Sequence, residues 1–207
     1  MHKTYLSRKE SIIITAIQII DELGIEGLST REIARREGMA ESTLYGQFKS
    51  KQEIVLAIIG QYSVYDISLI NTIRNSDINS KDSIIFFIKS IAEYYENYPD
   101  IANIINPFEL LKNNEIVFQK AKEVFDVRTS FVKELIESGQ RSGLFRIGYN
   151  SDDLADTIIG LTRYITLKWR IQKYNFLLSG RIMSALESLL ELVENPSAKY
   201  ISSLEPT

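Results

Sequence analysis

The stretch GMAESTLYGQFKSK (residues 38–51) sets two apolar residues, Leu44 and Phe48, one helical turn apart among small and polar side chains. On a helix turning about 100° per residue, Leu44 and Phe48 share an inward face. Ser42, Thr43, Gly46 and Gln47 then fall on the opposite face, with Glu41 and Tyr45 at one flank. Hydroxyls and a carboxamide at this spacing suit hydrogen bonding to a polar surface that the helix approaches closely. The major groove of DNA is such a surface, because long side chains at every position would hold the helix away from the bases. Gln47 can pair with an adenine edge; Ser42 and Thr43 can bond to bases or phosphates, and the threonine methyl can touch thymine. Gly46 costs about 1 kcal/mol of helix propensity relative to alanine. It either admits close backbone contact with the duplex or is a tolerated glycine.

The elements that would position this face are helices. Ile12, Ile13, Ala16, Ile17, Ile19, Ile20 and Leu23 form a stripe over residues 8–23, with Gly24 past its end. Ser29 followed by Glu32 fits a capping box for a second helix, with Thr30 as the alternative cap, and Gly38 ends that helix. The third helix is expected from Glu41 to Phe48. Ser50 with Glu53 opens a long fourth helix from Lys51 to about Arg74. Two short helices joined by a three-residue turn have the helix-turn-helix layout, in which the second helix reads bases and the first crosses the backbone. Thr30 and Arg31, at the start of the first of the pair, would face phosphates, and Lys51 would add its charge at the start of the fourth helix.

GIEGLSTREIARREGMAESTLYGQFKSKQEI resembles the N-terminal DNA-binding module of the TetR family of bacterial transcriptional regulators. The shared pattern is G-x-x-x-L-[ST]-T-x-x-I-A, then Gly, then T-L-Y-x-x-F-x-[SN]-K. The resemblance implies DNA contacts from Thr30, Arg31, Ser42, Thr43, Tyr45, Gln47 and Lys51, a homodimer, and a helical, ligand-sensing C-terminal domain. It also implies a repressor as the default. Two positions depart from the pattern. Ala40 stands where a serine cap is common, which weakens the cap by about 1 kcal/mol, and Gly46 stands where a bulky aromatic or His is frequent. Both departures bear on which operator is read.

Charge agrees with this division. The chain of 207 residues carries a formal net charge of −3, yet residues 1–52 hold 8 basic and 7 acidic side chains. The basic ones cluster as Arg8 and Lys9, then Arg31, Arg35 and Arg36, then Lys49 and Lys51. A local basic face, not the total, governs phosphate neutralisation.

Beyond residue 52 the periodicity predicts helices at about 82–98, 100–112, 114–140, 151–174 and 179–194, after a loop at 75–82, and no strand. The expected architecture is all-α: a DNA-binding domain over 1–52 (motif about 29–48), a helical ligand-binding and dimerisation domain over 53–195, and a flexible tail over 196–207. Ile158, Ile165, Ile182, Leu186, Leu189, Leu190 and Val193 lie on two broad apolar helix faces that could pair with their copies as a four-helix bundle. An intramolecular core is the competing use of the same faces. Aromatic side chains crowd the middle region, and Tyr94, Tyr98, Phe108, Phe125 and Trp169 are candidates to line a pocket for an apolar or aromatic effector.

Composition speaks against catalysis. The chain has no cysteine and one histidine, His2, so disulfides, thiolate zinc sites, histidine triads and histidine-rich metal sites are ruled out. No Glu-x-x-His pattern occurs. No catalytic residue, metal or cofactor is expected. The first residues lack a signal-peptide cleavage pattern, and no uninterrupted apolar run reaches about 18 residues. The expected setting is the cytoplasm, without a membrane. The expected partners are operator DNA, a small-molecule effector and a second copy of the chain. An interaction protein of the same family without independent operator binding is the alternative.

Overall fold

The computed structural model describes residues 7–103 and 114–196. Among them are nine helices: α1 (Arg8–Gly27), α2 (Thr30–Arg36), α3 (Glu41–Tyr45), α4 (Lys51–Arg74), α5 (Ser80–Asn97), α6 (Pro99–Asn103), α7 (Glu115–Arg141), α8 (Ser151–Ile171) and α9 (Leu178–Val193). The described residues contain no strand, only an isolated bridge between Phe145 and Glu194. The chain divides into two compact units, Met1–Tyr65 with Tyr98–Val124, and Asp66–Asn97 with Phe125–Thr207. α4 and α7 each contribute to both.

In the first unit, Ser7 and Glu10 close a reciprocal capping box that starts α1. Ile12, Ile13, Ala16, Ile17, Ile19 and Ile20 are buried along its length, whereas Leu23 is exposed. Gly24 takes φ +70 and breaks the helix there, a conformation that costs a residue with a Cβ. Ser29 caps α2 by accepting from the Glu32 amide. The expected return bond is absent, because the Glu32 carboxylate turns instead to Arg35 and Arg36. α2 closes with Met39 N–H on the Ala34 carbonyl and Gly38 N–H on the Arg35 carbonyl, with Gly38 at φ +63. That pair of bonds is the Schellman ending, and it sets the turn into α3.

α3 is shorter than the expected Glu41–Phe48. The helix ends at Tyr45 with Gly46 as its cap, and the Leu44 carbonyl accepts from both Gln47 and Phe48 N–H groups, tightening the last turn. Three ties brace this unit. Ser11 and Thr15 on α1 donate to the Glu37 carboxylate. Lys51 Nζ donates to the Ile25 carbonyl at 2.8 Å. The Tyr62 hydroxyl on α4 donates to the Ile101 carbonyl in α6.

By length and composition alone α4 could cross a membrane. Its apolar residues Ile54, Ile58 and Ile59 are instead buried in the first unit and Leu69, Ile70 and Ile73 in the second, and its Asp66 is buried too.

In the second unit α5, α8 and α9 pack together around Ile84, Phe87, Ile88, Ile158, Ile182, Leu186 and Leu190. α5 begins at Ser80, inside the stretch expected to be a loop, because the Asn79 side chain caps it through the Asp82 amide. α8 is capped by Asn150 through the Asp152 and Asp153 amides. It ends at Ile171, short of the expected 174, since Lys173 and Tyr174 enter the left-handed region. The Tyr174 amide bonds the Trp169 carbonyl, and the two rings meet edge-on at 4.6 Å.

The residues expected at a dimer interface are packed within the single chain. Ile158, Ile165, Ile182, Leu186, Leu190 and Val193 are all buried within the single chain, and Leu189 is partly so. Their apolar face is satisfied by neighbouring helices of the same unit. The apolar side chains that α8 leaves uncovered are Tyr164, Leu167 and Ile171, at 67%, 44% and 72% exposure, and α9 leaves Leu192 uncovered.

Candidate functional site

The α2–turn–α3 segment sorts its side chains by face. Leu44 and Phe48 are buried, and Lys9 Nζ sits 5.1 Å above the Phe48 ring. Ser42, Thr43, Tyr45, Gly46, Gln47 and Lys49 are exposed, so the face defined on the helical wheel points outward even though the helix ends at Tyr45. Thr30 Oγ1 lies 3.5 Å from both Glu41 Oε2 and the Tyr45 hydroxyl, which brings the start of α2 beside this face. Ala40 makes no side-chain cap to α3, as its lack of a hydroxyl requires.

The basic cluster splits into two groups. Arg35 holds Glu32 with two hydrogen bonds of 2.8 and 2.7 Å. Arg36 bridges Glu32 and Glu22 at 2.9 and 2.8 Å. The hydrogen bonds from Arg35 and then Arg36 pull the Glu32 carboxyl down to about 2. This charge is therefore offset on the protein itself. Arg31 and Lys49 are exposed, and neither forms a salt bridge among the described residues. They flank the hydroxyl face with uncompensated charge. Lys51 is partly buried with one of its donors on the Ile25 carbonyl.

The expected pocket residues that are described fall in both units. Phe108 lies outside the described residues. Tyr98 is 57% exposed and belongs to the first unit. Trp169 is buried, with its indole N–H on the Phe176 carbonyl at 2.9 Å, a core role. Tyr94 and Phe125 belong to the second unit, beside a polar cluster that periodicity does not reveal. There Arg128 on α7 grips the Asp66 carboxylate on α4 through Nε and Nη2, at 2.6 and 2.9 Å. Its Nη1 donates to the Tyr95 hydroxyl on α5 at 2.6 Å. Burial alone would push the Arg128 guanidinium down; Tyr95 and Asp66 overcome this and hold it above its ordinary value. Burial raises the Tyr95 phenol, against the pull of the Arg128 charge. Arg163 on α8 lies over the Phe125 ring at 5.2 Å and is pushed down by burial and by the charge of Arg128. The tyrosine is 6.2 Å from the Tyr94 ring, centre to centre. One signal in the sequence pointed here: Asp66 is the only charged residue between Glu53 and Arg74.

Comparison with known proteins bears on both regions. Residues 12–58 match the sequence model of bacterial regulatory proteins, tetR family. The fatty acid metabolism regulator protein of Bacillus subtilis (strain 168) is 22% identical over 184 residues, 89% of this chain and 94% of the relative. The class C tetracycline repressor protein of Escherichia coli is 37% identical over 51 residues, 25% of this chain and 23% of the repressor. Among solved structures, the transcriptional regulator FadR from Bacillus subtilis in complex with stearoyl-CoA superposes with a TM-score of 0.75 at 22% identity, covering 87% of this chain and 96% of FadR. The ketosteroid transcriptional regulator KstR2 of Mycobacterium tuberculosis gives 0.78 at 17% identity, covering 92% and 97%.

Proposed function

We propose that this chain, whose residues 12–58 match the tetR family of bacterial regulatory proteins, is a cytoplasmic repressor that holds an operator as a homodimer and leaves it when a small, largely apolar effector binds. The observation that carries this reading is the outward face of α3, hydroxyl- and amide-bearing, backed by buried Leu44 and Phe48. In this reading Ser42, Thr43, Tyr45 and Gln47 meet base edges, with Gly46 allowing close approach. Thr30, Arg31, Lys49 and Lys51 meet phosphates. The DNA-binding domain is taken as residues 1–52 and the effector and dimerisation domain as 53–195.

A relative that regulates fatty acid metabolism and a similar fold solved with stearoyl-CoA support an effector with an acyl chain. The aromatic side chains of Tyr94 and Phe125 suit an apolar body of that kind. Selecting duplexes from a random pool and measuring gel shifts at several salt concentrations tests the operator. Saturable binding to one sequence class, falling steeply with salt and lost on adding stearoyl-CoA, is the expected result. Binding to no duplex would favour the interaction-protein reading.

Gln47→Ala is expected to relax discrimination at one base pair of the selected operator by about 1–3 kcal/mol. The melting temperature should stay unchanged, because Gln47 is exposed and buries nothing. Unaltered base preference in a substituted-operator panel would remove Gln47 from the reading face.

In this reading the dimer forms through the uncovered face of α8, where Tyr164, Leu167 and Ile171 follow one another at helical spacing, with Leu192 of α9. Leu167→Asp is expected to yield a folded monomer by sedimentation at micromolar concentration, with operator affinity lowered at least tenfold. A dimer of unchanged stability would place the interface elsewhere.

A further inference from the structure

The cluster of Asp66, Tyr95 and Arg128 is rich in donors and poor in acceptors. A guanidinium offers five N–H groups, and Arg128 uses three, two on Asp66 and one on Tyr95. The Tyr95 hydroxyl accepts from Arg128, and its own O–H meets no acceptor among the described residues. Two N–H groups of Arg128 are in the same position. Asp66 accepts from Nε and Nη2 of Arg128 and takes no hydrogen bond from the Tyr95 hydroxyl among the described residues. Tyr95 is 1% exposed and the Arg128 side chain 14%, so bulk water reaches these donors poorly. Arg163 adds a second guanidinium whose charge is felt by both Tyr95 and Arg128, and the Phe125 ring lies beneath it.

Leaving buried donors without an acceptor costs free energy, and burying a charged pair is no gain over apolar packing. Such a group persists where something else completes it. We infer that this cluster is the polar end of the effector site and that it takes an oxyanion, a carboxylate or a phosphate, through Arg128, the Tyr95 hydroxyl and Arg163. The rings of Tyr94 and Phe125 then lie beside the apolar part that follows. An anion drawn to Arg128 also competes with Asp66, which is part of α4, the helix that begins directly after α3 and its turn. Effector binding would thereby loosen the bidentate pair that joins α4 to α7.

The inference rests on the acyl-effector reading given above. Its test measures binding of laurate, lauroyl-CoA and methyl laurate by titration calorimetry, the twelve-carbon chain being kept for solubility. The ester keeps a carbonyl acceptor and the chain but carries no charge. At least one of the two anions should bind about tenfold or more tightly than the ester. A carboxylate source shows as tight laurate, and a phosphate source as tight lauroyl-CoA with weak laurate. Tyr95→Phe and Arg163→Gln should each weaken the preferred anion about tenfold and the ester less than threefold, with melting temperatures within a few degrees of the parent. Equal binding of ester and anions overturns the inference while the acyl reading stands. The same holds if both variants lose all ligands equally. Binding of none of the three overturns the acyl reading, and this inference with it.

Discussion

Phe48→Ala is expected to destabilise the first unit by about 3–5 kcal/mol, the usual cost of truncating a fully buried phenylalanine. The ring is 2% exposed and lies beneath Lys9 of α1, so its removal leaves a cavity and also ends a cation–π contact worth about 0.5–1 kcal/mol. A whole domain is stable by only about 5–15 kcal/mol, so this change reaches a large fraction of the total. Operator binding should fall with it, because α3 is held to its unit by Leu44 and Phe48. The neighbouring Gln47→Ala is the control: one residue away in sequence, on the opposite face, and without effect on the melt. Urea denaturation of both variants separates the two cases. If they unfold at the same midpoint, the inward and outward assignment of α3 is mistaken.

How far such assignments can be made from sequence depends on what sets each feature. The faces of α3 follow from local spacing, since Leu44 and Phe48 need only a helical turn between them to be buried together. The start and end of α4, Lys51 and Arg74, were also legible, because Ser50 and Glu53 mark the start and turn-forming residues follow the end. The ends of α3 and α8 were not. Gly46 lets the last turn tighten under Leu44, and the left-handed residues Lys173 and Tyr174 are held by a contact to Trp169. Periodicity cannot signal such a stop.

The apolar stripes of α8 and α9 show a different limit. Spacing marks a face as buried but does not say against what. Ile158, Ile182 and Leu186 fill the chain's own core, and the uncovered face of α8 lies around Tyr164 and Ile171. The polar cluster was hidden for a similar reason. Asp66, Tyr95 and Arg128 come from three helices far apart in the chain, and only the fold brings them together. A lone acid in an apolar helix was its single trace.

Asp66→Ala is expected to cost about 3–5 kcal/mol, as breaking a buried ion pair from one side leaves a charge with no partner. The pair is bidentate, and the Asp66 side chain is 1% exposed. Arg128→Met should cost a similar amount, since it strands the carboxylate and removes the donor to Tyr95. The double change Asp66→Leu with Arg128→Met behaves differently. It removes both charges together and fills the space with apolar atoms, so most of the loss should be recovered and the double variant should lie within about 1–2 kcal/mol of the parent. Urea denaturation of the four proteins forms the cycle. A coupling near zero, with each single change costing less than about 1 kcal/mol, would mean that the pair is solvated and holds nothing. A large coupling with a stable double variant means that the charges are not kept for stability. That outcome is what a functional use of Arg128 requires: the fold can do without the pair, so its retention must serve another end.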